Sequence, residues 1–301
     1  MTECERIVND GLLPKSFFEE EIRNDFLVTT ERKKLWAVLL DLLFKFDEIC
    51  KKHNLKYFLI YGSLLGAVRH NGFIPWDDDL DVVMPRADYE QLHHFASEFK
   101  SPYFFQTPYT DAGYFYSFLK IRNSNTTAIS EKLSYQRFNS GIVLDVFPLD
   151  EFPEGPEGEL LFNKIKHLVL ENSTYMRMSN PNLSDDDKAR IAHWDRIPPF
   201  DVYNQIHQYA SSYNGKSLST VACPVVPVYG FKKAVFQKKD FEESIEIDFE
   251  GFRLPIPHGY KNILKTIYGD YMQLPPKENR GKWHDGCIYN PDIPYKEFYK
   301  K

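Results

Sequence analysis

Four carboxylates crowd into five positions, Asp77, Asp78, Asp79 and Asp81, at the entrance to the apolar run Leu80 to Met84, and any fold of this chain must accommodate them. Like charges at that density raise one another's energy unless a cation compensates them. On an extended segment residues i and i+2 share a face, so Asp79 and Asp81 are expected to project together while Leu80 and Val82 turn into the core. Two neighbouring carboxylates at a strand edge form a hard-oxygen site, suited to Mg²⁺ or Mn²⁺ rather than zinc. The plainer alternatives are a solvated Asp-rich turn and a calcium loop. The first sits poorly beside Trp76 and a hydrophobic strand, and the second needs D-x-[DN]-x-[DN]-G with a later Glu, which the segment lacks.

Periodicity supplies the surroundings. After the N-cap candidate Thr29-Thr30, apolar residues Leu35, Val38, Leu39, Leu42, Leu43, Phe46 and Ile49 recur at helical spacing, predicting an amphipathic helix from Glu31 to about Lys52. Lys56 to Tyr61 reads as a buried strand stopped by a tight turn at Gly62-Ser63, with helix resuming from Leu64 to His70. Leu80 to Met84 reads as a strand, and Pro85 to Phe99 as a helix with proline near its first position. Tyr114 to Arg122, Thr126 to Ser130 and Gly141 to Phe147 are further strand candidates. Two helices, Glu157 to Met178 and Asp201 to Tyr213, are expected next. A hairpin about Glu250-Gly251 and a helix from Tyr260 to Tyr268 follow.

The expected organisation is an N-terminal arm (1–30), a catalytic core (31–150), a mainly helical elaboration (151–240) and a C-terminal segment (241–301), together one compact unit. Alternating strands and helices over 31–150 imply an α/β (α+β) fold with a mixed sheet.

Composition narrows the function classes. With 43% hydrophobic and 27% charged residues in 301, the chain is globular, neither disordered nor fibrous. A net charge of -6 disfavours wrapping nucleic acid, which needs clustered Lys and Arg. Cys4, Cys50, Cys223 and Cys287 are scattered without C-x-x-C, as reduced cytoplasmic thiols are. Acidic residues interrupt the apolar ones near the N-terminus, unlike a secretory leader, and no run is long enough to span a membrane. Cytoplasmic placement follows as an expectation.

Gly62-Ser63, then Asp79-Leu80-Asp81-Val82, then Asp145 within Val143-Leu144-Asp145-Val146-Phe147, matches the arrangement of the nucleotidyltransferase superfamily. The run from Tyr61 to Arg86, YGSLLGAVRHNGFIPWDDDLDVVMPR, closely resembles the signature of the LicD family of phosphocholine transferases, distantly related to fukutin and fukutin-related protein. Lys120-Ile-Arg-Asn, Gly141 to Asp150, Phe249 to Pro257 and Tyr268 to Pro276 also look like family segments, so the resemblance spans roughly residues 30 to 285. One departure is Asn123, where many relatives carry Asp.

The resemblance implies a nucleotidyltransferase-like mixed β-sheet core flanked by helices, with the helical elaboration and the hairpin and helix of the C-terminal segment completing the site. It implies transfer of phosphocholine, or a related phospho-alcohol, from CDP-choline or another CDP-alcohol to a hydroxyl of a cell-surface glycan or its lipid-linked precursor, releasing CMP. Asp79, Asp81 and Asp145 would be catalytic and would hold Mg²⁺ or Mn²⁺, reversing the repulsion between carboxylates and a diphosphate. Asp145 either completes the metal site or accepts the proton of the attacking hydroxyl. Gly62, Ser63, Arg69 and Lys120 are candidates for donor phosphates, against ordinary turns and surface ion pairs. Asp77 and Asp78 would orient the ligands or cap the loop.

The 16% aromatic content offers a cage for a quaternary ammonium, with Trp76, Tyr268, Tyr271 and Trp283 as candidates, although most aromatic residues build core. His284 is a weaker candidate. A lipid-linked acceptor would bring the protein to the membrane surface. Rival readings are a D-x-D glycosyltransferase using a nucleotide sugar, a true nucleotidyltransferase, and a binding module without activity; the complete three-Asp set argues against the last.

Overall fold

A computed structural model describes residues 1–130, 138–178, 199–281 and 287–298. Short helix α1 (Glu3–Asn9) and hairpin β1–β2 (Glu21–Arg23, Phe26–Val28) lead into α2 (Thr30–Lys52), whose first turn is capped by Thr29, its hydroxyl accepting the Arg32 N–H at 3.3 Å. The expected apolar face of α2 is buried, and so are Trp36, Ala37 and Leu40 on its other sides. α1 packs on the helix from outside, tied by an Arg6–Asp41 ion pair, and Phe73 stacks on the Trp36 ring. Glu3 completes the seam, accepting from Asn123 and Asn125 at 2.8 Å each.

The sheet is mixed, as expected, and seven-stranded. Its spine is the ten-residue β8 (Ile142–Glu151), running parallel to β4 (Asp81–Pro85) and antiparallel to β6 (Leu119–Asn123). β3 (Phe58–Leu59) flanks β4, and β5 (Tyr103–Gln106) flanks β6. β9 (Thr220–Ala222) pairs the end of β8 and β10 (Val235–Gln237). Alongside lie α3 (Tyr61–His70), α4 (Arg86–Leu92), α5 (Gly155–Met178), α6 (Pro199–Ala210), a short α7 (Phe231–Ala234) and α8 (Tyr260–Tyr268). β7 (Thr127–Ser130) pairs with β13 (Cys287–Asn290), and β11 (Ser244–Phe249) with β12 (Phe252–Pro257) about Glu250-Gly251.

Several expectations need correction. Gly62 and Ser63 form no turn between strand and helix, because the chain reverses at Tyr61, at φ +49°, and helix α3 starts there. Pro85 ends β4, where it pairs with Leu149, so α4 begins at Arg86 and gives way to a 3₁₀ segment over His93–Glu98. Tyr114 to Phe118 do not extend β6; the Tyr114 hydroxyl instead donates to the Phe118 carbonyl at 2.5 Å, closing a local loop. β5, β9 and β10 were not foreseen, since three or four residues give too little alternation to register as strands. No helix among the described residues is long and apolar enough to cross a membrane.

Candidate active site

Strand register assembles the site. Asp145 of β8 lies opposite Asp81 on the parallel neighbour and opposite Lys120 on the antiparallel one, a row of three charged residues across adjacent strands. Such neighbours stand about 4.8 Å apart. Lys120 Nζ donates to Asp145 Oδ1 at 2.6 Å, in side chains 7% and 20% exposed. The ammonium also lies over the Tyr116 and Phe118 rings, at 4.4 and 4.8 Å. Burial pulls the Lys120 pKa down against the opposing pull of Asp145. Asp81 is pushed well above the ordinary carboxylate range, first by burial and then by Asp79, Asp145 and Asp77. Asp77, Asp79, Asp81 and Asp145 therefore sense one another, and the Lys120 ammonium is in contact with Asp145.

The start of α3 faces this row. Ser63 Oγ accepts the Asp81 N–H at 2.8 Å, and the Ile60 N–H donates to the Asp81 carbonyl at 3.2 Å, so both backbone groups of Asp81 are tied to residues 60–63. A Cβ on Gly62 would lie 2.8 Å from Asp77 Oδ2 and 4.0 Å from Asp79 Oδ1, so only glycine leaves those carboxylates their place against the helix. Left-handed backbone at bulky Tyr61 costs roughly 1–3 kcal/mol. Packing of its ring on Phe147 at 5.8 Å and Tyr229 at 5.5 Å offsets that cost.

The acidic run is itself suspended. The Asp77 carbonyl accepts from Arg32 Nη1 at 2.7 Å and Trp36 Nε1 at 3.0 Å, two residues of α2 outside the apolar face that the helical spacing picks out. Asp78 is buried and interacts with Arg32 and Tyr289, whereas Asp77 and Asp79 influence Asp81. Alternation thus divides the run between two sides.

The remaining candidates fall into place around it. Arg69 Nη1 donates to the carbonyls of Tyr271 and Gln273, at 2.8 and 3.2 Å, and its Nε to His70 Nε2 at 2.9 Å, so it anchors the 271–273 loop. Trp76 meets Phe26 and His70 edge-on and carries the Arg280 guanidinium 4.8 Å over its ring. Tyr268 stands at 88° to Tyr229, their hydroxyls 3.3 Å apart. Burial raises the pKa of both tyrosines, and Asp81 and Asp77 add to it, which puts the pair beside the carboxylates. Nothing in the sequence had singled out Tyr229. Asn123 is buried on Glu3, away from this row. Trp283 and His284 lie outside the described residues. A cavity of about 810 Å³ sits at the other end of the same strands, lined by Pro85, Arg86, Leu149 and Glu151.

As the side chains stand, no three metal-competent groups among the described residues are gathered around one point, Asp145 being engaged by Lys120. The donor chemistry fits a divalent cation nonetheless. The groups are hard carboxylate oxygens, adjacent on paired strands, and their mutual repulsion raises Asp81.

A mixed sheet that sets carboxylates side by side on parallel strands, with a Gly-Ser helix start against them, is the arrangement of a nucleotidyltransferase-fold protein. Comparison with known proteins agrees: residues 54–153 match the LicD/FKTN/FKRP nucleotidyltransferase domain, and the chain carries a domain of the LicD family. It is 28% identical over 258 residues to the lipopolysaccharide cholinephosphotransferase LicD of Haemophilus influenzae, covering 82% of this chain and 93% of that one. An uncharacterised protein of Rickettsia prowazekii is 31% identical over 117 residues, 38% of this chain and 40% of its own length. One of Rickettsia typhi is 41% identical over 71 residues, 24% of this chain and 22% of its own.

Proposed function

We propose that this protein transfers phosphocholine, or a related phospho-alcohol, from a CDP-alcohol to a hydroxyl of a cell-surface glycan or its lipid-linked precursor, releasing CMP. The observation that carries the reading is the cross-strand row Asp81, Asp145 and Lys120, with Asp79 beside it, inside the matched domain. The name of the Haemophilus influenzae relative supplies the choice of phosphocholine. Asp79, Asp81 and Asp145 would hold Mg²⁺ or Mn²⁺, which when bound neutralises the donor diphosphate and draws electrons from the phosphorus under attack.

The chain's own residues do the positioning. Ser63 keeps Asp81 in register through its N–H and retains a hydroxyl proton to offer a phosphate oxygen. Lys120 holds the Asp145 carboxylate in place through its hydrogen bond, whether Asp145 serves as ligand or as acceptor of the proton leaving the attacking hydroxyl. The new O–P bond forms as the P–O bond to CMP breaks, and no covalent protein intermediate is required. Action on a lipid-linked acceptor would bring the protein to the inner face of the cell membrane.

The test is release of CMP from CDP-choline with Mg²⁺, run beside other CDP-alcohols and UDP-sugars. Asp79→Asn and Asp145→Asn are each expected to abolish it with the fold retained. Normal turnover in either variant, or selective release of UDP, overturns the reading.

A further inference from the structure

Glu250 stands at the tip of the β11–β12 hairpin, 177 residues beyond Phe73, yet its side chain is only 5% exposed. A buried carboxylate needs partners. Phe73 N–H donates to its Oε1 at 3.1 Å, and Arg23 Nη1 and Nη2 grip Oε1 and Oε2 at 2.5 and 3.0 Å. The Glu250 N–H donates in turn to the Asn71 carbonyl at 2.9 Å. A Cβ on Gly72 would lie 2.1 Å from Oε1, so glycine at that position is what admits the carboxylate. The loop between α3 and the acidic run thus hangs from two supports. Glu250 holds its start, while Arg32 and Trp36 hold the Asp77 carbonyl at its end. Phe73, stacked on Trp36 at 4.7 Å and 9°, joins the two.

We propose that Glu250, locked by Arg23, is a positioning residue for the carboxylates that follow this loop, acting through the Phe73 amide without reaching the reacting groups. The catalytic part of this inference rests on the function proposed above; the structural part does not.

Hydrogen–deuterium exchange on the full chain reads the loop with no donor present, and CDP-choline turnover reads the consequence. Glu250→Ala is expected to speed exchange at Phe73 to Asp81 about tenfold while α2 and β8 keep their protection. It is expected to lower kcat roughly 10- to 100-fold with the donor KM within about twofold. Glu250→Gln, which still offers Phe73 an acceptor, should fall between, and Arg23→Met, which leaves the hairpin intact, should reproduce it. Unchanged exchange in the loop, a uniform rise across the whole sheet, or full turnover despite a loosened loop overturns the proposal. A wild-type protein that turns over no CDP-alcohol overturns the proposed function instead, and the exchange experiment still judges the anchor.

Discussion

Asp81 shows how a single residue acquires its chemistry from position. Its carboxylate is raised by burial and by three like charges, while its backbone is pinned by Ser63 and Ile60. Ser63→Ala leaves a buried N–H without an acceptor, a loss of about 1–3 kcal/mol. A lower urea midpoint and slower CMP release should both follow. Lys120→Met removes the ammonium between Asp145 and its surroundings, and turnover is expected to fall by roughly 100-fold or more, since a hydrogen bond to a charged, desolvated group is lost; CMP release at saturating CDP-choline measures it. The acidic residues were legible in the sequence because four carboxylates before an apolar strand have few ordinary explanations. Lys120 was legible only as a cation. That it serves Asp145 depends on strand register, which no local pattern carries. Arg69 illustrates the same limit, since the carbonyls it holds lie 202 and 204 residues away. Asn123 finds its reason here too: it donates to Glu3, where an Asp would set two carboxylates together.

Among the elements, α2, α8 and the β11–β12 hairpin match their predicted spans closely, because long periodic runs and a Glu-Gly turn are strong local signals. Glu250 at φ +49° and Gly251 at φ +84° supply the left-handed pair such a two-residue turn requires. The short strands escaped notice because tertiary pairing, and not alternation, makes them strands. Helix α3 depends on a close crossing: a Cβ on Gly66 would lie 2.4 Å from the Gly72 carbonyl and 3.2 Å from the Ile74 nitrogen. Gly66→Ala should therefore push the loop off the helix, at about 1–3 kcal/mol for overpacking. Denaturant titration of the variant, alongside its loss of turnover, checks this.

For the molecule as a whole, the burial of His70 and His207 couples stability to pH. Arg69 donates to His70 Nε2, and Arg86 donates to His207 Nδ1, so each ring is held neutral with its other nitrogen donating, to Asn24 and to the Ser117 carbonyl. Burial, then Arg69, Arg23 and Arg280, lowers His70 to about 4, and burial followed by Arg86 lowers His207 well below its ordinary value. Unfolded histidines bind protons near pH 6.5, so between there and about 4 the unfolded chain takes up more protons than the folded one. The contribution of these two histidines is complete above that window and drains as pH falls through it. The melting temperature should drop accordingly, and less steeply in His70→Asn. The anchoring of the acidic loop by Glu250 carries a consequence for synthesis. The loop leaves the ribosome 177 residues before its anchor, a wait of about 10–35 s at ordinary rates of translation. Until the hairpin emerges, the nascent chain holds its acidic loop without the Glu250 carboxylate, so the loop reaches its anchored form only after residue 250 has been made.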